Sequence, residues 1–139
     1  MKAKLFIIFL VIVAVPILVW ILMPGQIKYE EVKLEELDKT VQNAIEQLSE
    51  PNVYFIMKDS IVVLYSNLGK SGMYTYPTAE VVKKRDQLTV KIKSNMAVND
   101  PFVKEVLIAK MSMQRLPDQI EAFYEGQKTN HKIINLNEL

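Results

Sequence analysis

The chain has 139 residues, with 17 basic and 16 acidic side chains, one histidine, no cysteine and a formal net charge of +1. That balance leaves no basic surplus to neutralise phosphates, which argues against nucleic acid as a partner. Zero cysteine removes disulfides, thiolate catalysis and cysteine-ligated metals together.

The first predicted element is the apolar run Leu5 to Met23 (LFIIFLVIVAVPILVWILM), nineteen residues with no charge and no glycine. As a helix it measures roughly 28 Å, against a hydrocarbon core of ~30 Å. The sequence therefore predicts a single-pass transmembrane helix over 5–23, kinked at Pro16 and carrying Trp20 near an interface. Lys2, Lys4 and the amino terminus flank one end, whereas Pro24 to Asp38 holds two lysines against five acids. The positive-inside tendency then makes 1–4 a cytoplasmic tail and everything after the anchor an extracytoplasmic domain at the cell membrane, as on a bacterial cell envelope. A cleaved secretory signal is the rival reading. Its apolar core is usually about 7–15 residues with a small-x-small cleavage site, and here Ile21-Leu22-Met23 meets Pro24. A signal-anchor is the expectation.

Residues 24–33 form a juxtamembrane linker with a Pro-Gly break, in which Ile27, Tyr29 and Val32 allow either a short extended segment or a tether. Leu34 to Ser49 reads as an amphipathic helix: Leu34, Leu37, Val41, Ala44, Ile45 and Leu48 make one stripe. Glu35, Glu36 and Asp38 sit where the helix dipole favours acids, and Pro51 stops it. From Asn52 the period becomes two. Val53–Met57 and Ile61–Tyr65 flank Lys58-Asp59-Ser60, a hairpin. Tyr74 to Arg85 is extended, with Pro77 marking an edge or a bulge. Asp86-Gln87 turns into Leu88–Lys93, whose alternation points Leu88, Val90 and Ile92 inward. Ser94 to Phe102 is a loop. Val103 to Met113 reads as a central strand, with its Met and Ala leaving a helix as the alternative, and Ile120–Tyr124 with His131–Leu136 as a last hairpin. The expected fold class is α+β: an N-terminal transmembrane helix, a juxtamembrane helix, and a mainly antiparallel sheet within one domain, 34–139.

Chemistry-bearing motifs are weak. Gly69-Lys70-Ser71 resembles the end of a phosphate-binding loop, yet Leu64 occupies the position of the required earlier glycine and a strand follows instead of a helix. His131, the only histidine, lies in a polar stretch with no nucleophile elbow around any serine. Asp59, Asp86, Asp100 and Asp118 fall in turns, where aspartate is expected on backbone grounds. No catalytic residue, metal, cofactor or nucleotide is assigned. The aromatic and methionine content exceeds what the strict inward positions require; sheet core plus cross-strand pairs is the first reading, and an exposed surface for a protein partner is the alternative.

From Gly69 onward the order of features resembles the C-terminal domain of PrcB-type protease-complex-stabilising proteins. The pieces are Gly69-Lys70-Ser71-Gly72-Met73-Tyr74, then Asp86-Gln87-Leu88-Thr89-Val90-Lys91-Ile92, the loop at Asn99-Asp100-Pro101 and an apolar strand ending near Leu116-Pro117. That family shows a Gly-Gly-Tyr step where this chain has Gly72-Met73-Tyr74. The resemblance implies a non-enzymatic module that binds another protein and transfers no catalytic residue. The expected function is a membrane-anchored binding or regulatory module, or an accessory subunit of a cell-envelope complex. The expected protein-binding residues are Gly69, Lys70, Gly72, Tyr74, Tyr76, Asn99 and Phe102. The alternatives are a small anchored hydrolase with an unrecognised site and a subunit acting mainly through its membrane helix.

Overall fold

In the computed structural model, which describes residues 2–69 and 74–138, the chain opens with a helix, α1 (Lys2–Leu22), containing Pro16. Its apolar side chains from Ile7 to Ile21 are exposed around the whole circumference. Among the described residues, however, no helix is long and apolar enough to cross a membrane. The side chains of Leu5 and Phe6, which belong to the expected span, lie outside what is described. The predicted single-pass transmembrane helix is therefore corrected, and with it the signal-anchor, the cytoplasmic tail and the extracytoplasmic cell-membrane location that rest on it.

The fold class is corrected as well. In place of α+β with a mainly antiparallel sheet, two mixed five-stranded sheets pack face to face, and the chain is mostly β. One sheet has the order β1 (Gly25–Gln26), β5 (Thr75–Lys84), β6 (Gln87–Met96), β8 (Gln119–Tyr124), β9 (Gln127–Thr129). The other has the order β10 (His131–Asn135), β3 (Val53–Lys58), β4 (Ile61–Ser66), β7 (Leu107–Ser112), β2 (Glu30–Glu31). The β6–β8 and β10–β3 pairs are parallel.

The second sheet is the middle layer, and its composition says why. Phe55, Val62, Leu64, Leu107, Ala109 and Met111 face Val81, Leu88, Val90, Ile92 and Ala122 of the first sheet. Tyr54, Ile56, Val63, Tyr65 and Ile108 face the other way, onto Leu37, Val41 and Ile45. Strands buried on both faces have no position for a polar residue, which accounts for the unbroken runs VYFIM and IVVLY. The helical cover is shorter than the expected helix over 34–49. Leu34–Glu36 is a single 3-10 turn, and Asp38 then caps α2 (Lys39–Glu46) by accepting from the Thr40 amide at 2.8 Å. An aspartate four residues into an apolar stripe restarts the helix, because its side chain competes for the amides that would continue it.

The last predicted hairpin does not form. β8 turns through Glu125 and Gly126, both at positive φ, into β9, and the chain then crosses at Asn130 to the other sheet. A matching crossover closes the opposite flank, where β1 pairs with β5 and β2, three residues later, pairs with β7. The segment that contains them, residues 25–32, thus straps the two sheets together. Ile27 donates to the Val81 carbonyl at 2.8 Å and Val32 to the Ile108 carbonyl at 3.0 Å. Between them the Tyr29 hydroxyl donates to the Ala79 carbonyl (2.8 Å) and accepts from the Ala79 amide (3.3 Å), doing the work of a missing strand. The odd residues of β5 therefore present their backbone to this flank. Pro77 belongs to the same series and has no N–H to offer, so the uncovered part of the edge lacks a donor that a foreign strand would use.

Candidate recognition surface

Both segments chosen from the sequence meet at one end of the sandwich. The β4–β7 pair stops at Ser66 and Leu107, whereas β5 and β6 continue together to the Thr75–Met96 pair. The hairpin overhangs the middle sheet. By strand alternation Met96 lies on the same face as Leu88, Val90 and Ile92, but past the end of the sheet that covers them. It is 81% exposed, with Val98 at 93% and Tyr74 at 60%.

The overhang is tied down through its backbone. Ala97 donates to the Tyr74 carbonyl at 2.8 Å, Lys104 to the Thr75 carbonyl at 3.0 Å, and Val103 to the Asp100 carbonyl at 3.0 Å, closing a 3-10 turn over Asp100–Phe102. Asn95 donates from its side chain to the Thr78 hydroxyl at 2.8 Å, which holds the two strands in register near the tip. Gly69 abuts the backbone of Glu105, so closely that a Cβ at 69 would fall on the Glu105 carbonyl. The sequence thus places a glycine at a close backbone contact between the 69–76 and 94–105 segments. Beside the overhang, Tyr76, Val98, Glu31 and Lys104 line a shallow cleft of about 380 Å³. Lys104 and Glu31 form an ion pair at 2.5 Å. Both side chains are well exposed, so the pair contributes little to stability.

Of the residues expected to bind protein, Gly69, Tyr74, Tyr76 and Asn99 are therefore at this end, with Asn99 exposed at the start of the 3-10 turn. The backbone of Phe102 is there too, although its side chain lies outside what is described; Lys70 and Gly72 lie outside the described residues altogether. Sequence reasoning reached Met96 only among the methionines and Val98 only within the segment 94–102, and assigned neither to the site. The even-numbered series of β6 carried the signal for Met96, since it runs two steps past Ile92, but only the length of the opposing sheet shows that the series outruns its cover.

Elsewhere the chemistry is structural. His131 stacks edge-on against Phe55 with ring centroids 5.7 Å apart, which makes it part of the seam between the sheets. Ser66 is buried. A cavity of about 140 Å³ beneath α2 is lined by Leu37, Val41, Ile56, Ile61 and Val63. It exists because an eight-residue helix is too short to cover the whole sheet. At its rim Asp38 pairs with Lys58 at 2.5 Å. The Lys58 ammonium, and then the Thr40 amide, lower the Asp38 carboxyl from 3.8 to about 2. Among the described residues no group of three or more potential metal ligands comes together. Comparison with known proteins adds nothing to this geometry: no family model matches the chain, and no curated protein or solved structure does so either.

Proposed function

We propose that the chain is a non-catalytic binding module that engages a protein partner through the overhanging end of the β5–β6 hairpin. The observation that carries this reading is the exposure of Tyr74, Met96 and Val98 on a backbone already fixed by cross-segment hydrogen bonds. A backbone already fixed leaves less conformational entropy to lose on binding, and aromatics and methionines are enriched in interface centres. The PrcB-type resemblance of 69–117 points to the same class of function. The reading assigns recognition to the loops of a rigid sandwich, where binding residues commonly concentrate.

Comparative capture tests it. The wild-type chain, a Met96→Asp/Val98→Asp variant and a control with Lys84→Asp at the opposite end of the hairpin are crosslinked in the source cells at native abundance. A partner recovered by wild type and control, and reduced at least about tenfold for the tip variant, supports the reading. Both substitutions are on exposed side chains, so stability changes by no more than about 0.5 kcal/mol. Equal recovery by all three chains, or recovery of the chain alone, overturns it.

A further inference from the structure

We propose that the strap Gly25–Val32 is a conformational latch on the tip cleft, coupling the position of α1 to the surface that the proposed function assigns to recognition, a reading on which this inference rests. Together with Met23 and Pro24, the strap is the whole of the chain between α1 and the cleft. It begins three residues after Leu22, pairing Gly25 with Lys83 and Gln26 with Val82 at the far end of β5. It then follows β5 toward the tip through the Ile27–Val81 and Tyr29–Ala79 hydrogen bonds. Next to its end lies Glu31, whose carboxylate meets Lys104 on the cleft wall. Lys104 in turn holds Thr75 through its amide, and Thr75 adjoins Tyr74, which holds Ala97.

Each attachment is short. Two ladder pairs join the strap to β5 and two join it to β7, against six or more for β3–β4, β4–β7 and β5–β6. Segments with few ladder bonds open locally at lower cost than the core. Peeling from the α1 side breaks the Tyr29 bonds and withdraws Glu31 from Lys104. This loosens the 97–104 segment and widens the cleft between Tyr76 and Val98, while the doubly covered middle sheet stays closed. With α1 relaxed the strap holds the cleft narrow, and tension or displacement at α1 opens it.

Hydrogen exchange on the full chain tests this without any partner. In the wild type, the amides of Ile27, Val32, Ala97 and Lys104 should exchange together, faster than those of β3 and β4. Because the chain has no cysteine, a Gln26→Cys/Val82→Cys pair gives one defined disulfide between directly opposed strand positions. Oxidised, it should slow all four amides by about tenfold or more, and reduction should restore them. Tyr29→Phe should speed all four by about three- to tenfold, the range expected for loss of a hydrogen-bond partner. If the disulfide slows Ile27 and Val32 but leaves Ala97 and Lys104 unchanged, strap and cleft are independent and the inference is wrong. Exchange from β3 and β4 shows whether Tyr29→Phe simply destabilises the whole sandwich, in which case the disulfide alone decides. Failure to capture a partner would sink the functional reading and leave these exchange results standing.

Discussion

Gly69 has no room for a methyl group. Its missing Cβ is the space taken by the Glu105 carbonyl, so Gly69→Ala must push the 104–105 segment off the tip. We expect a loss of about 1–3 kcal/mol in chemical denaturation, the range for a forced steric insertion, together with faster exchange of the Lys104 amide. Tyr124 makes the opposite case. Among the described residues its hydroxyl is buried without a hydrogen-bond partner, and an unpaired buried polar group costs free energy. Tyr124→Phe should therefore stabilise the sandwich by about 1 kcal/mol, read from the denaturation midpoint at unchanged slope. Asp38 supplies a pH dependence. Its folded-state value of about 2 lies below the ordinary 3.8, set first by Lys58 and then by the Thr40 amide. A lowered carboxyl value contributes stability above pH 4 and loses it as the pH falls from about 4 toward 2. Thermal melts of Asp38→Asn should accordingly show a flatter fall across that window than the wild type.

At the scale of elements, the middle sheet bears the fold. Phe55 is fully buried between the sheets, and Phe55→Ala should cost about 3–5 kcal/mol. Lys91→Ala, on the solvent face of β6, should stay within about 0.5 kcal/mol. These two positions also mark what was legible in advance. The alternation through Leu88, Val90 and Ile92 and the paired runs around Lys58-Asp59-Ser60 are local signals, and both hairpins follow from them. Pairings that join distant stretches leave no local trace. Nothing in His131–Asn135 says that it runs parallel to Val53–Met57, or that Glu30–Glu31 adds to β7 rather than extending freely. The length of α2 turned on Asp38, which has the same composition whether it sits in a first turn or caps a new helix. The tip was half legible: the segments 69–76 and 94–102 stood out by their residues, but Met96 and Val98 became a surface only through the shortness of the sheet opposite them.

For the whole molecule, the contrast between the two parts of the chain is the main physical fact. The sandwich covers its own core and closes both flanks with strands that change sheets. α1 leaves apolar side chains open on every side. A chain beginning at Met23 keeps β1 and every element of the sandwich, so its unfolding midpoint should match that of the full chain within experimental error. Exposed apolar surface of this extent drives association in water. Sedimentation should therefore find the full chain associated and the shortened one monodisperse.

The ten-residue strands β5 and β6 have a further consequence. At about 3.3 Å per residue they hold Thr75 roughly 30 Å from Lys84, beside which α1 ends at Leu22. A twisted two-strand ribbon backed along most of its length by a second sheet is stiff, so this separation is a stand-off distance set by strand length. Whatever fixes α1 also fixes how far away Tyr74, Met96 and Val98 operate. Inserting one residue pair into each of β5 and β6 would move that working height outward by about 7 Å, leaving the chemistry of the tip as it is.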